Sequence, residues 1–242
     1  TLLGGESMRE DPIATFGIGV DPAEFERVSA ENFIPADRSG SSFTLTLVKT
    51  PDALVLFDAG MFPENNKASL AAAGYAPGDV THLVLTHMHP DHITGLMAGG
   101  ARNFPNAQLI FPKVENDHWA ASPSEAYTAN VAPLVEGARQ IADGDEVLPG
   151  IRAEAAYGHT PGHTTYLLES DGQKLLITGD SFNHYVYSVE HPEWHVRFDI
   201  DKDAGAAARA KVLARLASER IPCIGYHMPF PALGFIAPAG QG

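Results

Sequence analysis

The sequence predicts an α/β fold, a layered sandwich in which two stacked, mostly antiparallel sheets lie between outer helices. Three observations lead to this prediction: two β-hairpin patterns, a helical segment after each hairpin, and later strands that end in polar loops. Because sheets and amphipathic helices each bury one face, hairpins that alternate with helices favour stacked layers. Neither a linker nor a short repeat interrupts the pattern, so we expect one domain over residues 1–242.

The first half of the chain contains the first hairpin. Residues 1–40 carry glycine, proline and charge without a period, and we expect an irregular N-terminal segment there. Two runs rich in apolar and β-branched residues flank Pro51-Asp52 and predict a strand pair that ends at Asp58. The predicted elements of this half are strands over 42–48, 53–57, 81–85 and 108–111 and helices over 66–73 and 124–140.

The second half contains the second hairpin. Two apolar runs flank Asp171-Gly172, a dipeptide that strongly favours a two-residue hairpin turn. Val212, Leu213 and Leu216 share one face of a helical pattern, which predicts an amphipathic helix. The predicted elements of this half are strands over 151–157, 165–169, 174–178 and 221–226 and a helix over 203–219.

The composition excludes several kinds of partner. The net charge is −14, and an acidic protein repels the phosphates of nucleic acids and anionic membrane surfaces. A run of about 20 apolar residues that could cross a membrane is absent from the sequence. A signal peptide is also absent, but the chain begins at Thr1. We therefore expect a soluble protein that is cytoplasmic, or exported by a signal outside this chain.

Histidine and aspartate residues form an unusual cluster after a buried strand. His87, His89, Asp91 and His92 lie within six residues. Residues two apart in an extended loop point the same way, so His87 and His89 can bind one ion while Asp91 and His92 face a second. Burying these groups unpaired would cost several kcal/mol, so we expect two divalent ions, zinc first, with manganese, iron or cobalt as alternatives. Further donors follow or end later strands: His163, Asp180 and His227.

Together these segments resemble the metallo-β-lactamase superfamily. The likeness covers about residues 42–236 and includes the G-H-T-P-G-H sequence at 158–163. It implies a four-layer αββα sandwich of two mostly antiparallel mixed sheets with helices outside. It also implies a ligand set in which each ion has three ligands of its own and both share a seventh. The first ion would be bound by His87, His89 and His163, the second by Asp91, His92 and His227, with Asp180 bridging both.

The resemblance also assigns supporting residues. Asp58 would orient a ligand histidine, and His159 would fix the loop around His163. The segments 158–180 and 225–231 resemble methyl parathion hydrolase and related lactonase-like enzymes, which are often homodimers. In this chain Phe62, Trp119 and Tyr127 stand roughly where methyl parathion hydrolase has an aromatic substrate pocket, so the resemblance implies a pocket role, although each could instead pack in a core. The same relatives have histidine where this chain has Phe235.

The chemistry expected from this site is hydrolysis. Asp91, Asp180 and the histidines would bind the two ions, and a hydroxide would bridge the ions. This hydroxide would attack a lactone, an aryl ester or a phosphotriester. We expect lactones or carboxylic esters to be the native substrates. The sequence has no G-x-S-x-G motif for a nucleophilic serine. His184 lies four residues after Asp180 and is either a proton donor to the leaving group or a structural hydrogen bonder.

Three other functions are compatible with the same ligand pattern. A β-lactam hydrolase would use the same pair of ions, but dedicated β-lactamases commonly replace Asp91 or Asp180. An iron-dependent redox enzyme of this fold is a second alternative. The chain has a single cysteine and therefore no pair of cysteines that would indicate redox chemistry. A non-catalytic metal-binding protein is the last alternative, although degenerate relatives usually lose ligands and all seven are present.

Overall fold

The computed structural model describes residues 1–238 and contains two six-stranded sheets, a two-stranded ribbon and eight α-helices within that range. The strands are β1 (Leu2–Glu10), β2 (Arg38–Lys49), β3 (Leu54–Phe57), β4 (His82–Val84), β5 (Met97–Ala98), β6 (Ala101–Arg102), β7 (Gln108–Pro112), β8 (Arg139–Ile141), β9 (Glu146–Leu148), β10 (Ile151–Ala155), β11 (Thr164–Ser170), β12 (Gln173–Gly179), β13 (Cys223–Gly225) and β14 (Leu233–Gly234). The helices are α1 (Ile13–Phe16), α2 (Pro22–Glu31), α3 (Pro63–Ala72), α4 (Pro90–Ile93), α5 (Lys113–Ala121), α6 (Glu125–Asn130), α7 (Tyr187–Glu190) and α8 (Lys202–Glu219).

The two large sheets differ in how their strands pair. The first has the order β1-β2-β3-β4-β7-β8, with β1, β2 and β3 antiparallel and the pairs from β3 to β8 parallel. The second has the order β14-β13-β12-β11-β10-β9 and is antiparallel except between β12 and β13. The predicted sandwich of mixed sheets is therefore confirmed, and most of its antiparallel pairs belong to the second sheet.

The alternation of side chains along the strands creates the layers. In β3, Val55 and Phe57 join a buried cluster that also contains Tyr166 and Ile177 of the second sheet. The intervening Leu56 belongs to a different cluster, which packs the first sheet against its own helices. A third cluster places the second sheet against α8 and includes the buried Cys223, Leu213 and Leu216. Both faces of each sheet are thus covered, as the parallel strands from β3 to β8 in the first sheet require.

The prediction of an irregular N-terminal segment over 1–40 is wrong. The segment contains β1, which pairs along the edge of the first sheet, and the helices α1 and α2. The signal for α2 is local, because the Asp21 side chain accepts from Ala23 N and Pro22 occupies the first turn. Phe25 and Val28 of α2 are buried against Tyr187.

A second difference concerns residues 124–140, for which one helix was predicted. The structure has α6, then a 3-10 helix over Ala132–Gly137, then β8. Pro133 lacks the N–H that a continuing α-helix needs, so the helix ends before it. Other predicted elements lie within a few residues of those observed, whereas α5 was not predicted. Within residues 1–238, each helix is too short or too polar to cross a membrane.

Leu56 tests the packing of the first sheet. It is fully buried, so we expect Leu56→Ala to lower the free energy of unfolding by about 2–5 kcal/mol. Urea denaturation of the metal-free protein measures this change. Leu233→Ala is the matched control, because Leu233 is 57% exposed and its loss should change stability by less than about 0.5 kcal/mol. Equal effects of the two substitutions would contradict this packing.

Candidate metal centre

Strand ends bring the polar residues of the sequence motifs to one rim of the sandwich. The loop after β4 carries His87 and His89, and α4 follows with Asp91 and His92. In the second sheet, β12 ends directly before Asp180 and the adjacent β13 ends two residues before His227. Because β12 and β13 are parallel, Asp180 and His227 emerge at the same edge. His163 lies just before β11. Thr164 N, at the start of β11, donates a hydrogen bond to Thr86 O, which brings His163 to the same rim as His87.

One group of imidazoles could hold a metal ion. His87, His89 and His159 each offer a ring nitrogen, and these atoms lie within 4.8 Å of one another. The His89 Nδ1 atom is 3.2 Å from His87 Nε2 and 3.0 Å from His159 Nε2. His87 and His159 are buried. Three nitrogens at this spacing could bind one metal ion together.

A second group combines imidazoles with a carboxylate. Ligand atoms of Asp91, His92 and His227 lie within 4.8 Å of one another. The His227 Nε2 atom is 3.2 Å from Asp91 Oδ2. Asp180 lies between the two groups, with Oδ1 at 3.3 Å from His92 Nε2 and Oδ2 at 4.0 Å from His87 Nε2. A carboxylate in this position can contact ions on both sides.

The two histidines of the G-H-T-P-G-H segment have different surroundings from those expected. The resemblance implied His163 as the third ligand of the first group, but its Nε2 accepts a hydrogen bond from Asp180 N at 3.0 Å. His159 was expected only to fix the loop. Its Nδ1 lies 2.8 Å from Asp199 Oδ1, so its Nε2 is the nitrogen that faces His89. The His163 ring is nonetheless only 5.2 Å from that of His87, so its role as a ligand stays a prediction.

The buried polar atoms test whether divalent ions fit these residues. His92 Nε2 and Asp180 Oδ1 are buried and lack a hydrogen-bond partner within the described residues. Leaving such atoms unpaired costs about 1–3 kcal/mol each. Imidazole nitrogens and carboxylate oxygens are the donors that zinc, manganese, iron and cobalt accept. The donor set therefore fits two divalent ions that share the Asp180 carboxylate.

Asp58 holds one of these histidines in place. Its carboxylate accepts from Thr86 N at 2.8 Å and lies 2.9 Å from His92 Nδ1. The contact with Nδ1 leaves the Nε2 atom of His92 facing Asp91 and Asp180. His227 has comparable support, because its Nδ1 is 3.1 Å from Ser41 Oγ. Carboxylates and hydroxyls placed behind an imidazole fix its ring orientation and raise its basicity as a ligand.

Sequence reasoning missed Glu115, which connects the two histidine-bearing loops. This fully buried residue of α5 accepts from Met88 N at 2.9 Å and from Gly162 N at 2.9 Å. It also accepts from Thr160 Oγ1 at 2.7 Å and Trp119 Nε1 at 2.7 Å. The residues around Glu115 are mostly charged or polar, which is typical of a solvent-exposed segment, so no local signal identifies this role.

The buried salt bridge between Arg209 and Asp199 was also missed. Arg209 Nη2 donates to Asp199 Oδ2 at 2.6 Å, and Asp199 in turn holds His159. Arg209 Nη1 further donates to the carbonyl oxygens of Pro192 and Trp194. The amphipathic pattern of α8 gave no indication of a buried arginine. This pair anchors the loop before α8 against the imidazole cluster.

Electrostatics divides the histidines into two sets. Burial lowers the pKa of His89 and of His163 to about 3, so both rings are neutral at pH 7. Burial also acts against protonation of His227, but the Asp180 and Asp91 carboxylates outweigh it and raise its pKa to about 9. The pKa of Asp180 is lowered, because its imidazole neighbours outweigh its burial. Without metal, the proton on His227 supplies positive charge that a metal ion would replace.

A cavity of about 460 Å³ opens over the rim. Its floor includes His89, Asp91, Asp180 and His227. Its walls are largely apolar and come from β1, β2 and several loops. The wall residues are Ser7, Met8, Arg9, Phe43, Met61, Phe62, Pro90 and Phe198.

Of the three predicted pocket aromatics, only Phe62 lines this cavity. Tyr127 is wrong as a pocket residue, because it is buried and its hydroxyl donates to Asn116 Oδ1 at 2.9 Å. Trp119 does not line the cavity either. Its ring packs edge-on against His89 at 5.9 Å, and its Nε1 is used by Glu115. Both rings are turned inward by polar partners that their sequence neighbours do not reveal.

His184 has a structural environment. Its Nδ1 accepts from Val186 N and Tyr187 N, each at 3.1 Å, and its ring stacks on Tyr187. Burial lowers its pKa to about 4. It does not line the cavity over the rim, and its contacts favour the structural alternative over a proton donor. Phe235 is 68% exposed and also lies outside the cavity lining.

Comparison with known sequences relates this site to a family of metal-dependent enzymes. Residues 44–217 match the metallo-beta-lactamase superfamily. An N-acyl homoserine lactonase from a Bacillus species is 34% identical over 127 residues, which are 51% of this chain and 47% of that enzyme. The N-acyl homoserine lactonase AiiA of Bacillus thuringiensis subsp. kurstaki is 32% identical with the same coverage. The matched region thus spans about half the length of these relatives.

Solved structures share the fold over nearly the whole chain. AidC, a dizinc quorum-quenching lactonase in complex with a product, N-hexanoyl-L-homoserine, superposes with a TM-score of 0.88 at 27% identity, covering 99% of this chain and 90% of that one. The hydrolase AbOPH of the beta-lactamase superfamily has a TM-score of 0.88 at 25% identity, covering 99% and 89%. These comparisons confirm the predicted sandwich and the predicted superfamily.

The contact between Asp58 and His92 can be tested without measuring activity. We expect Asp58→Asn to weaken binding of the zinc ion that His92 would hold by about 10-fold to about 100-fold, because the carboxylate that orients His92 is lost. Competition with a chromophoric chelator measures this affinity. Asp52→Asn removes an exposed carboxylate from a turn and serves as the control. Unchanged zinc affinity in Asp58→Asn would contradict the supporting role.

The raised pKa of His227 predicts how the stability of the metal-free protein depends on pH. A folded-state pKa of about 9, against an ordinary value of 6.5, stabilises the fold fully below pH 6.5. This contribution is lost as the pH rises through about 9. We expect the Tm of metal-free protein to fall between about pH 7 and about pH 10, and that of zinc-loaded protein to fall less, in parallel thermal scans. A metal-free Tm that stays constant or rises would contradict this assignment.

Proposed function

We propose that this chain, which belongs to the metallo-beta-lactamase superfamily, is a metal-dependent hydrolase that opens the ring of N-acyl homoserine lactones. One observation carries the proposal: two groups of metal-ligand side chains share Asp180 at the floor of a cavity with apolar walls. The names of the similar lactonases support the substrate class. We also propose that residues 1–242 form one domain.

The proposed ligands follow the two groups of side chains. His87 and His89, with His163 or His159, would hold one ion, and Asp91, His92 and His227 would hold the other, with Asp180 between them. Two such ions, zinc in our proposal, would supply a water that is nucleophilic near neutral pH and a Lewis acid for the carbonyl oxygen. The low pKa values of His89 and His163 keep both nitrogens available without competition from protons.

The protein contributes positioning and the exclusion of water. Phe43, Met61 and Phe62 line one part of the wall, where an acyl chain would displace water from apolar surface. Asp91 and Asp180 lie at the floor, so the lactone ring would be placed there and the chain along the wall. Glu115 fixes the loops of His87 and His163 to each other, which limits movement of the ligands during the reaction.

The proposal is tested with zinc-loaded protein and a panel of substrates. We expect turnover of N-acyl homoserine lactones to exceed turnover of aryl esters, phosphotriesters and a chromogenic β-lactam. Chromatography of the ring-opened product and assays of the released chromophores provide the rates. Faster turnover of the β-lactam than of any lactone would favour the β-lactamase alternative. Iron as the only bound metal, with no turnover of any substrate in the panel, would favour redox chemistry.

Substitutions link this activity to the metal ligands. We expect His87→Ala and Asp180→Ala each to lower lactone hydrolysis by at least about 1,000-fold and to reduce the bound zinc, because each removes a ligand. Metal content is measured by mass spectrometry of the same samples. His195→Ala is the control, since this histidine pairs with Asp203 near the surface, 3.1 Å away. Full turnover and normal zinc content in either ligand variant would refute the assignment.

A further inference from the structure

The N-terminal strand β1 presents one of its faces to the cavity over the metal centre. Residues two apart in a strand project to the same side, which places Gly5, Ser7 and Arg9 in one row. Ser7 and Arg9 both line the cavity. A Cβ at Gly5 would lie 2.7 Å from Phe62 Cδ2, so glycine at this position lets the Phe62 ring pack against the strand. The edge strand is therefore part of the cavity wall.

Ser7 brings an unused hydroxyl to this wall. Its Oγ atom is buried and has no hydrogen-bond partner within residues 1–238. Buried hydroxyls are normally paired, since an unpaired one loses its hydrogen bonds to water without replacement. The surrounding wall is formed mainly by methionine and phenylalanine side chains. A polar ligand atom that reached this hydroxyl through the wall would supply its missing hydrogen bond.

Arg9 brings an unused cation to the same row. Its guanidinium carbon lies 4.8 Å from the centroid of the Phe198 ring, which also lines the cavity. Stacking on an aromatic ring uses the face of the guanidinium and leaves the N–H groups at its edge free. In the described part of the chain, no ion pair and no side-chain hydrogen bond joins Arg9 to another residue.

We propose that Ser7 and Arg9 form a subsite that donates hydrogen bonds to oxygen atoms on the acyl side of the substrate. This inference rests on the proposed function, which places the lactone ring at the floor beside Asp91 and Asp180. The acyl side then runs along the wall, where Ser7 and Arg9 are the only side-chain donors among the described residues. The recognised oxygens belong to the amide carbonyl and to a keto group on the chain. A simple alkyl lactone has neither.

The test compares three zinc-loaded proteins on three lactones of matched length. The substrates are an alkyl lactone, an N-acyl homoserine lactone and its ketoacyl analogue. We expect Arg9→Met to lower the ratio of kcat/KM for the ketoacyl to the alkyl lactone by about 10-fold to about 100-fold, as loss of a charged hydrogen bond implies. We expect Ser7→Ala to lower the ratio for the N-acyl lactone by about 3-fold to about 10-fold. The Kd of the ring-opened ketoacyl product, from calorimetry, should rise in both variants.

Arg38→Met is the matched control. Arg38 lies on the neighbouring strand β2, its side chain is 62% exposed, and it does not line the cavity. Arg38→Met removes the same charge as Arg9→Met. Because it leaves the cavity unchanged, its ratios of kcat/KM between substrates should equal those of the wild type. The Tm of each variant shows whether it is folded, and Arg9→Lys provides a second, charge-conserving variant that should recover only part of the ratio.

The outcomes separate this inference from the proposed function. If wild-type protein opens lactones but Arg9→Met and Ser7→Ala leave the ratios unchanged, or lower all three substrates equally, the subsite is refuted and the lactonase proposal stands. If zinc-loaded wild type opens no lactone, the proposed function fails and the subsite fails with it. A change in the ratios equal to that of Arg38→Met would also refute the subsite, because it would reflect net charge alone.

Discussion

The burial of several carboxylates and imidazoles at one rim is the constraint on which the structure depends. Asp58 and Asp180 are 2% and 3% exposed, and His87, His92 and His163 are fully buried. Groups of this kind are costly to remove from water unless each atom has a partner. Most of the imidazoles therefore have one nitrogen tied to a supporting group, so that the other faces the centre. Two buried atoms that remain unpaired within residues 1–238, His92 Nε2 and Asp180 Oδ1, lie 3.3 Å apart, as expected where a cation belongs.

The sandwich makes this arrangement possible by fixing the positions of the strand ends. The core between the sheets and the outer clusters hold β4, β12 and β13 rigidly, so the loops that follow them start from fixed points. Two buried groups then brace those loops from outside the ligand set. Glu115 connects the loop after β4 with the loop before β11, and Arg209 anchors Asp199. The precision of the centre is therefore supplied by residues remote from it in sequence.

The cavity combines two surfaces of different origin. Its floor consists of residues from the sequence motifs that define the superfamily, whereas much of its wall comes from β1 and from loops that carry no such motif. Metal chemistry would be a property of the floor. Discrimination between substrates would be a property of the wall, where apolar side chains surround the two free donors on β1. This separation explains why one superfamily pattern is compatible with several classes of ester.

The sequence predicts the layered α/β sandwich, both hairpins, helix α8 and the cluster of candidate metal ligands, because hydrophobic periodicity, turn dipeptides and closely spaced histidines are local signals. It did not determine β1, whose pairing depends on β2, or the inward turn of Trp119 and Tyr127, which depends on Glu115 and Asn116. It also could not distinguish the surroundings of His159 from those of His163. Those features arise from contacts between residues far apart in the chain, and only the tertiary structure brings such residues together.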